Sequence, residues 1–185
     1  MTKLLALVTL ALGVVLGSVM GLAAPQGAVA ASVPAQGVRT APVLGGPQDV
    51  LPTRLLVQRA LEDRVVALTN AQRRAHGCSA LRQVSYLRTS ARGHTVTMAL
   101  KNVMSHQLPG EPRFSVRITR AGYTNWRLVA ENVARGFSGP SAVVRAWMAS
   151  PGHRRNILNC RLRDIGVGVV LKDGQLWWTQ NFGRR

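Results

Sequence analysis

Acid is what this chain lacks most. Seven aspartates and glutamates stand against 24 lysines and arginines, giving a net charge of +17 over 185 residues. Lysine is scarce too, with Lys3, Lys101 and Lys172 the only three, so the cationic character is arginine. There are four histidines and two cysteines. No internal repeat is visible, and no glycine-rich phosphate loop, which removes the common nucleotide-binding designs. No basic run is interleaved with aromatics, so a single-stranded nucleic-acid groove is not expected and no specific nucleic-acid partner is assigned. A nucleophile-elbow sequence is also absent.

What is present begins with an export signal. Lys3 precedes an apolar run from Leu4 to Ala24, followed by Ala28-Val29-Ala30, a small-x-small site. Residues 1–30 read as a secretory signal peptide cut after Ala30. The competing reading is an uncleaved membrane anchor, because the apolar run is long enough to span a bilayer. Either way the remainder is exported, to the extracellular space or the cell envelope. Residues 31–50 carry Ala, Val, Pro, Gly and Gln with almost no charge, and read as a flexible linker. Cleavage removes one cation and no acid, so +17 becomes +16. That charge suits attraction to polyanions such as cell-envelope polymers. The plainer reading, an arginine bias that keeps an exported protein soluble, is preferred.

An even pair of cysteines in an exported chain predicts one disulfide, Cys78–Cys160. It closes a loop of roughly 80 residues and is worth about 4–5 kcal/mol on a chain-entropy argument. Neither cysteine sits in a nucleophile context.

The domain is expected over 51–185. Val57, Leu61, Val65 and Leu68 recur at helical spacing, with Gly77 ending that helix. Ser79 is expected to cap the next helix, whose stripe runs Val84, Leu87, Ala91, His94 and Met98. Phe114, Ile118 and Ala121 suggest a short third helix stopped by Gly122. Leu128 to Ala134 reads as a strand. A helix presenting Val143, Val144, Trp147 and Met148 follows, and Pro151-Gly152 is expected to stop it and turn the chain, placing His153 at a rigid corner. Ile165, Val167, Val169 and Leu171 alternate with Gly166 and Gly168, and Lys172-Asp173-Gly174 turns into a returning strand, Leu176 to Phe182. Helices first and mostly antiparallel strands later indicate an α+β domain. The paired glycines would let a helix approach closely.

Glu131 lies inside the apolar run Val129-Ala130-Glu131-Asn132-Val133. A carboxylate there is costly unless paired, hydrogen-bonded or metal-bound. His94, on an apolar stripe, reads as a hydrogen-bonded core histidine, and His76 as a partner of terminal helix carbonyls. Of Trp177 and Trp178, alternation turns one away from the other, where it could line a cleft or ligand surface.

Several segments in series carry a family resemblance. Ala91-x-x-His94-x-x-x-Met98-Ala99 leads to Met104-Ser105-His106; Gly122-Tyr123 leads to Ala130-Glu-Asn-Val-Ala-Arg-Gly136; and Trp147-Met-Ala-Ser-Pro-Gly-His-Arg-Arg-Asn-Ile-Leu158 precedes Asp164-Ile-Gly-Val-Gly-Val169 and Trp177-Trp-Thr-Gln-Asn-Phe-Gly183. Over roughly residues 61–183 this resembles the CAP superfamily, the SCP/PR-1-like group of cysteine-rich secretory, antigen 5 and pathogenesis-related proteins, in its bacterial single-domain branch. The resemblance implies a three-layer α-β-α sandwich with a small, mainly antiparallel sheet and a central cleft. It implies two histidines and two glutamates in that cleft. The histidines match His106 and His153, and one glutamate matches Glu131. The second glutamate position is Ser150, so the tetrad is incomplete.

Two imidazoles and one carboxylate can hold Zn2+ or another divalent cation with water completing the set. His106, His153 and Glu131 are the metal candidates, and Ser150, Asn132 and Asn156 are the further cleft residues, the two asparagines as hydrogen-bonding support. With Glu131 used as a ligand, no acid is left with a claim to be the general base. No catalytic residue is assigned, and a non-enzymatic binding protein for a divalent cation or a small or lipidic ligand is favoured. The alternatives are a metal-dependent, peptidase-like hydrolase using the same cleft, a lipid or sterol carrier, and a cationic protein that binds the cell envelope.

Overall fold

The computed structural model describes the backbone from Pro47 to Arg185 and side chains from Gln58 onward. The signal peptide read at 1–30 and nearly all of the linker read at 31–50 lie outside the described residues. The first helix, α1 (Pro47–Ala75), takes in the last four residues of that linker. Proline suits an opening turn whose N–H groups have no partner.

α1 ends as expected. Gly77 takes a positive φ of 76°, and the Cys78 amide reaches back to the Arg73 carbonyl at 2.9 Å, capping the exposed carbonyls. His76 Nδ1 meets the Gln72 carbonyl at 2.8 Å. Ser79, however, caps nothing. A two-residue strand, β1 (Arg82–Gln83), intervenes, and α2 (Ser85–Lys101) starts from Val84, which makes no side-chain cap. β1 is too short to leave an alternation in the sequence. It exists because its backbone pairs in parallel with Asp164 and Ile165.

After α2 come α3 (Phe114–Arg120), β2 (Leu128–Arg135), α4 (Pro140–Ala149), α5 (Pro151–Ile157), β3 (Asp164–Lys172) and β4 (Gln175–Arg184). The sheet order is β1-β3-β4-β2, with β3–β4 and β4–β2 antiparallel. The β3–β4 hairpin turns on Asp173 (φ 49°) and Gly174 (φ 73°), two successive positive φ values that match the twist of the strands.

Alternation assigns the two faces of the sheet. Ile165, Val167, Val169, Trp178 and Phe182 pack into the main core with Val65, Val143, Trp147 and Ile157 from α1, α4 and α5. On the other face Gly166 and Gly168 lie against the backbone of α2, where a Cβ on Gly166 would come within 2.1 Å of the Arg88 nitrogen. Thr95 of α2 bonds Thr179 on the same face at 2.8 Å. Trp177 also points there, buried with Met98, Leu108 and Val133. The sheet therefore has helices on both faces, the expected α-β-α arrangement. Both tryptophans are buried in packed layers, Trp178 wholly in the main core, while Trp177 also lines a small pocket with Arg135.

Two polar devices lock the layers. Glu62 of α1, fully buried, takes both Arg92 Nε and Nη2 of α2 at 2.7 Å, a bidentate pair that satisfies the carboxylate without water. Arg73, also fully buried, donates to the carbonyls of Ser79, Ile157, Asn159 and Leu162. Burial, with the nearby charge of Arg163, holds that guanidinium below the usual arginine range. Beside it Cys78 and Cys160 form the expected disulfide, 82 residues apart in sequence.

Candidate functional site

β2 is an edge strand, and the candidate residues gather along it from both layers. Glu131 points to the α2–α3 side and is 95% buried, beside the cross-strand partner Asn181. Both of its oxygens are engaged. His106, on the loop after α2, meets Oε1 through Nδ1 at 3.0 Å, and Arg117 of α3 donates through Nη2 to Oε2 at 2.7 Å. With the Asn181 amide nitrogen turned toward it, Asn181 adds a third bond to Oε2 at 3.1 Å. An ionised carboxylate only accepts, so Nδ1 of His106 must carry the proton. Its Nε2 has no partner among the described residues, and the side chain is more than half exposed.

Arg117 is the centre of a larger charge cluster. It also lies 3.4 Å from Oε2 of Glu111 and donates to the carbonyls of His106 and Pro112. Glu111 in turn meets Nδ1 of the fully buried His94 at 2.8 Å, while His94 Nε2 meets the Ser105 carbonyl at 2.9 Å. His94 is thus a core histidine, as expected, and it fixes both ends of the loop that carries His106.

His153 arrives from the opposite layer. Pro151 and Gly152 do not stop a helix; they open α5, with Pro151 in its first turn. The break is Ser150 alone, in extended conformation (φ −92°, ψ 118°), which ends α4 and begins α5 without a side-chain capping bond. Proline is well accommodated in a first turn, so one extended residue suffices to start a new axis. Asn132 Nδ2 donates to the His153 carbonyl at 3.2 Å and to Gln180 Oε1 at 3.1 Å. Asn156 Nδ2 donates to the Glu131 carbonyl and to Asn132 Oδ1. Gln180 continues to Thr69 of α1 at 2.7 Å, so this end of α5 is tied through the sheet to the helix behind it. Burial, reinforced by the charge of His106, lowers the His153 pKa and favours its neutral imidazole. The α4–α5 corner also carries an open groove of about 410 Å³ lined by Met148, Ala149, Pro151 and Leu158 with Arg154 and Arg155.

The chemistry of this donor set decides how a cation would fit. Among the described residues no group of three or more His, Cys, Asp or Glu side chains is disposed to hold a metal ion. Glu131 is already paired with Arg117 and bonded to Nδ1 of His106. His106 and His153 would be the residues to hold such a cation, with Glu131, which accepts from His106 Nδ1, orienting the first as a carboxylate orients a ligating histidine. A divalent cation there would act as a charge and a template. Ser150 brings no bond to the pair, and Asn132 and Asn156 reach the site residues only at the carbonyls of His153 and Glu131 while bonding each other and Gln180 through their side chains.

Arg117, Glu111 and Asn181 escaped the sequence reading. Nothing separates Arg117 from the other arginines of the chain except that two of its few acids, Glu111 and Glu131, must each find a cation.

A three-layer sandwich with a histidine–glutamate pair at the edge of its sheet defines a class of domain. The family model for the cysteine-rich secretory protein family, CAP, matches residues 66–182, and the chain belongs to that family. It is 40% identical over 127 residues to the uncharacterized protein YkwD of Bacillus subtilis, covering 68% of this chain and 48% of that protein. The chain thus spans about half the length of this curated relative, and 36% of the uncharacterized membrane protein YlbC of the same organism, to which it is 31% identical. Among solved structures it is similar to an extracellular protein containing an SCP domain from Bacillus anthracis, with a TM-score of 0.66 and 29% identity over 76% of this chain and 44% of that one.

Proposed function

We propose that this is an exported, non-enzymatic CAP domain of the extracellular space or cell envelope whose β2-edge cleft binds a divalent cation through His106 and His153. The observation that carries the reading is the state of His106: Nδ1 is held by Glu131 at 3.0 Å, which leaves Nε2 as the nitrogen available to a ligand. Metal needs neutral imidazole, and burial favours that form of His153. The two acids nearest the histidines, Glu111 and Glu131, are each engaged by Arg117 and a histidine. Neither is free to serve as general base, which supports binding over hydrolysis. Export rests on the signal-like sequence at residues 1–30, and no helix among the described residues is long and apolar enough to cross a membrane.

Zinc titration by calorimetry tests the reading. Wild-type protein should bind one equivalent, with the heat lost in both His106→Ala and His153→Ala. Identical isotherms for wild type and variants would sink the cation claim.

A further inference from the structure

Seven large hydrophobic side chains are exposed among the described residues, and four of them fall between residues 96 and 104, at the C-terminal end of α2: Val96, Leu100, Val103 and Met104, between 43% and 70% exposed. Val96 and Leu100 lie one turn apart on the outer face of α2, and Asn102, in a left-handed turn (φ 54°), ends the helix and swings Val103 and Met104 out beside them. Neither Val96 nor Leu100 is among the residues that α2 buries, which are Leu87, Ser90, Ala91, His94, Thr95, Met98 and Ala99. Exposed aliphatic side chains grouped in this way mark an interaction surface.

The corner has a second feature, independent of the first. Ala99 and Asn102, which flank Leu100 and Lys101 in sequence, line a polar pocket of about 170 Å³ together with Arg135, Trp177, Gln175, Lys172 and Asp173. Arg135 is held in place. It stacks on the Trp177 ring at 4.5 Å, donates through Nε to Gln175 at 2.6 Å, and reaches the Asn102 carbonyl at 3.4 Å. Lys101 lies at the end of the helix, anchored to the Pro109 carbonyl at 2.6 Å. The one acid lining the pocket, Asp173, is paired with Lys172, and α2 contains no acid.

Aliphatic knobs beside fixed cations are complementary to an interface that is apolar inside and anionic at its surface. We propose that the C-terminal end of α2 docks on an anionic phospholipid bilayer. Leu100, Val103 and Met104 enter the acyl boundary while Arg135, Lys172 and Lys101 meet lipid phosphates in and around the pocket. Apolar burial and juxtamembrane cations act together in such docking, each weak alone. His106 follows Met104 by two residues, so docking holds the cleft near the membrane surface.

A fluorophore at the corner reads this directly in the full chain. Cys78 and Cys160 are bonded to each other, so Met104→Cys supplies a single thiol for an environment-sensitive label, and Ser141→Cys places the same label on exposed α4, in the other helical layer, as a control. With vesicles of equimolar phosphatidylcholine and phosphatidylglycerol, the label at 104 should brighten and shift to the blue while that at 141 does not, and phosphatidylcholine alone should have no effect. Adding Arg135→Gln and Lys172→Gln to Met104→Cys should weaken the response about tenfold, and Lys172→Gln alone should weaken it several-fold. A silent label at 104, an equal response at 141, an equal response to neutral vesicles, or indifference to loss of both charges would overturn the proposal.

Discussion

Arg117 and Glu131 make the shortest ion pair of the cleft, Nη2 to Oε2 at 2.7 Å, with side chains only 8% and 1% exposed. The carboxylate at the centre of the site is therefore balanced from within the protein. Removing Arg117 strands two nearly buried carboxylates, because Glu111 leans on the same guanidinium. Arg117→Met should cost about 3–5 kcal/mol in chemical denaturation, the usual loss when one partner of a buried pair is removed. A loss under about 1 kcal/mol would mean that the pair does not organise the cleft.

Gly168 should tolerate no side chain. A Cβ there would meet the backbone of Ala91 and Arg92 at 2.5–2.6 Å, and backbone in a helix does not move aside as a side-chain tip does. Gly168→Ala should lower stability by about 3 kcal/mol through displacement of α2. Gly152, with open space around its Cβ position, provides the control: Gly152→Ala should leave the melting temperature nearly unchanged.

The disulfide should be a major prop. Cys78–Cys160 spans 82 residues and anchors the end of α1 to the segment after α5. Reduction under native conditions should lower unfolding free energy by about 4–5 kcal/mol. A reduced protein as stable as the oxidised one would place the tie in Arg73 and its carbonyls instead.

Tyr123 sets an alkaline limit. It is buried and donates to Asp164 Oδ2 at 2.7 Å; burial first, then that bond, push its pKa well above the usual phenol value of about 10. Because the folded-state pKa is the higher one, the native state holds the phenolic proton more tightly. The contribution is complete below the unfolded pKa and is lost as pH rises from about 10 toward the folded value. Melting temperatures should therefore fall more steeply above pH 10 for wild type than for Tyr123→Phe. Parallel curves would contradict the assignment.

The sequence showed its layers where burial leaves a period. The α2 stripe, the alternating β3 and the Asp-Gly hairpin follow from which residues must hide, and Gly166 and Gly168 announced a helix at close range. β1 left no such trace, since only backbone pairing makes it. The Ser150 corner was misplaced by one residue because Pro-Gly reads as a stop when proline equally opens a helix. His106, Glu131 and His153 emerged from a motif order, but their chemistry depended on Arg117, a long side chain whose reach across the fold no local pattern records. That contact pairs Glu131 with a cation of the protein itself, beside its bond to His106.

The two-histidine cation site is the central claim, and zinc soaked into crystals of the protein tests it most directly. An anomalous difference peak within bonding distance of both His106 Nε2 and the His153 ring, with Glu131 still on Arg117, is the predicted result. A cleft without a peak, or a zinc held elsewhere while the two imidazoles stay free, would contradict it.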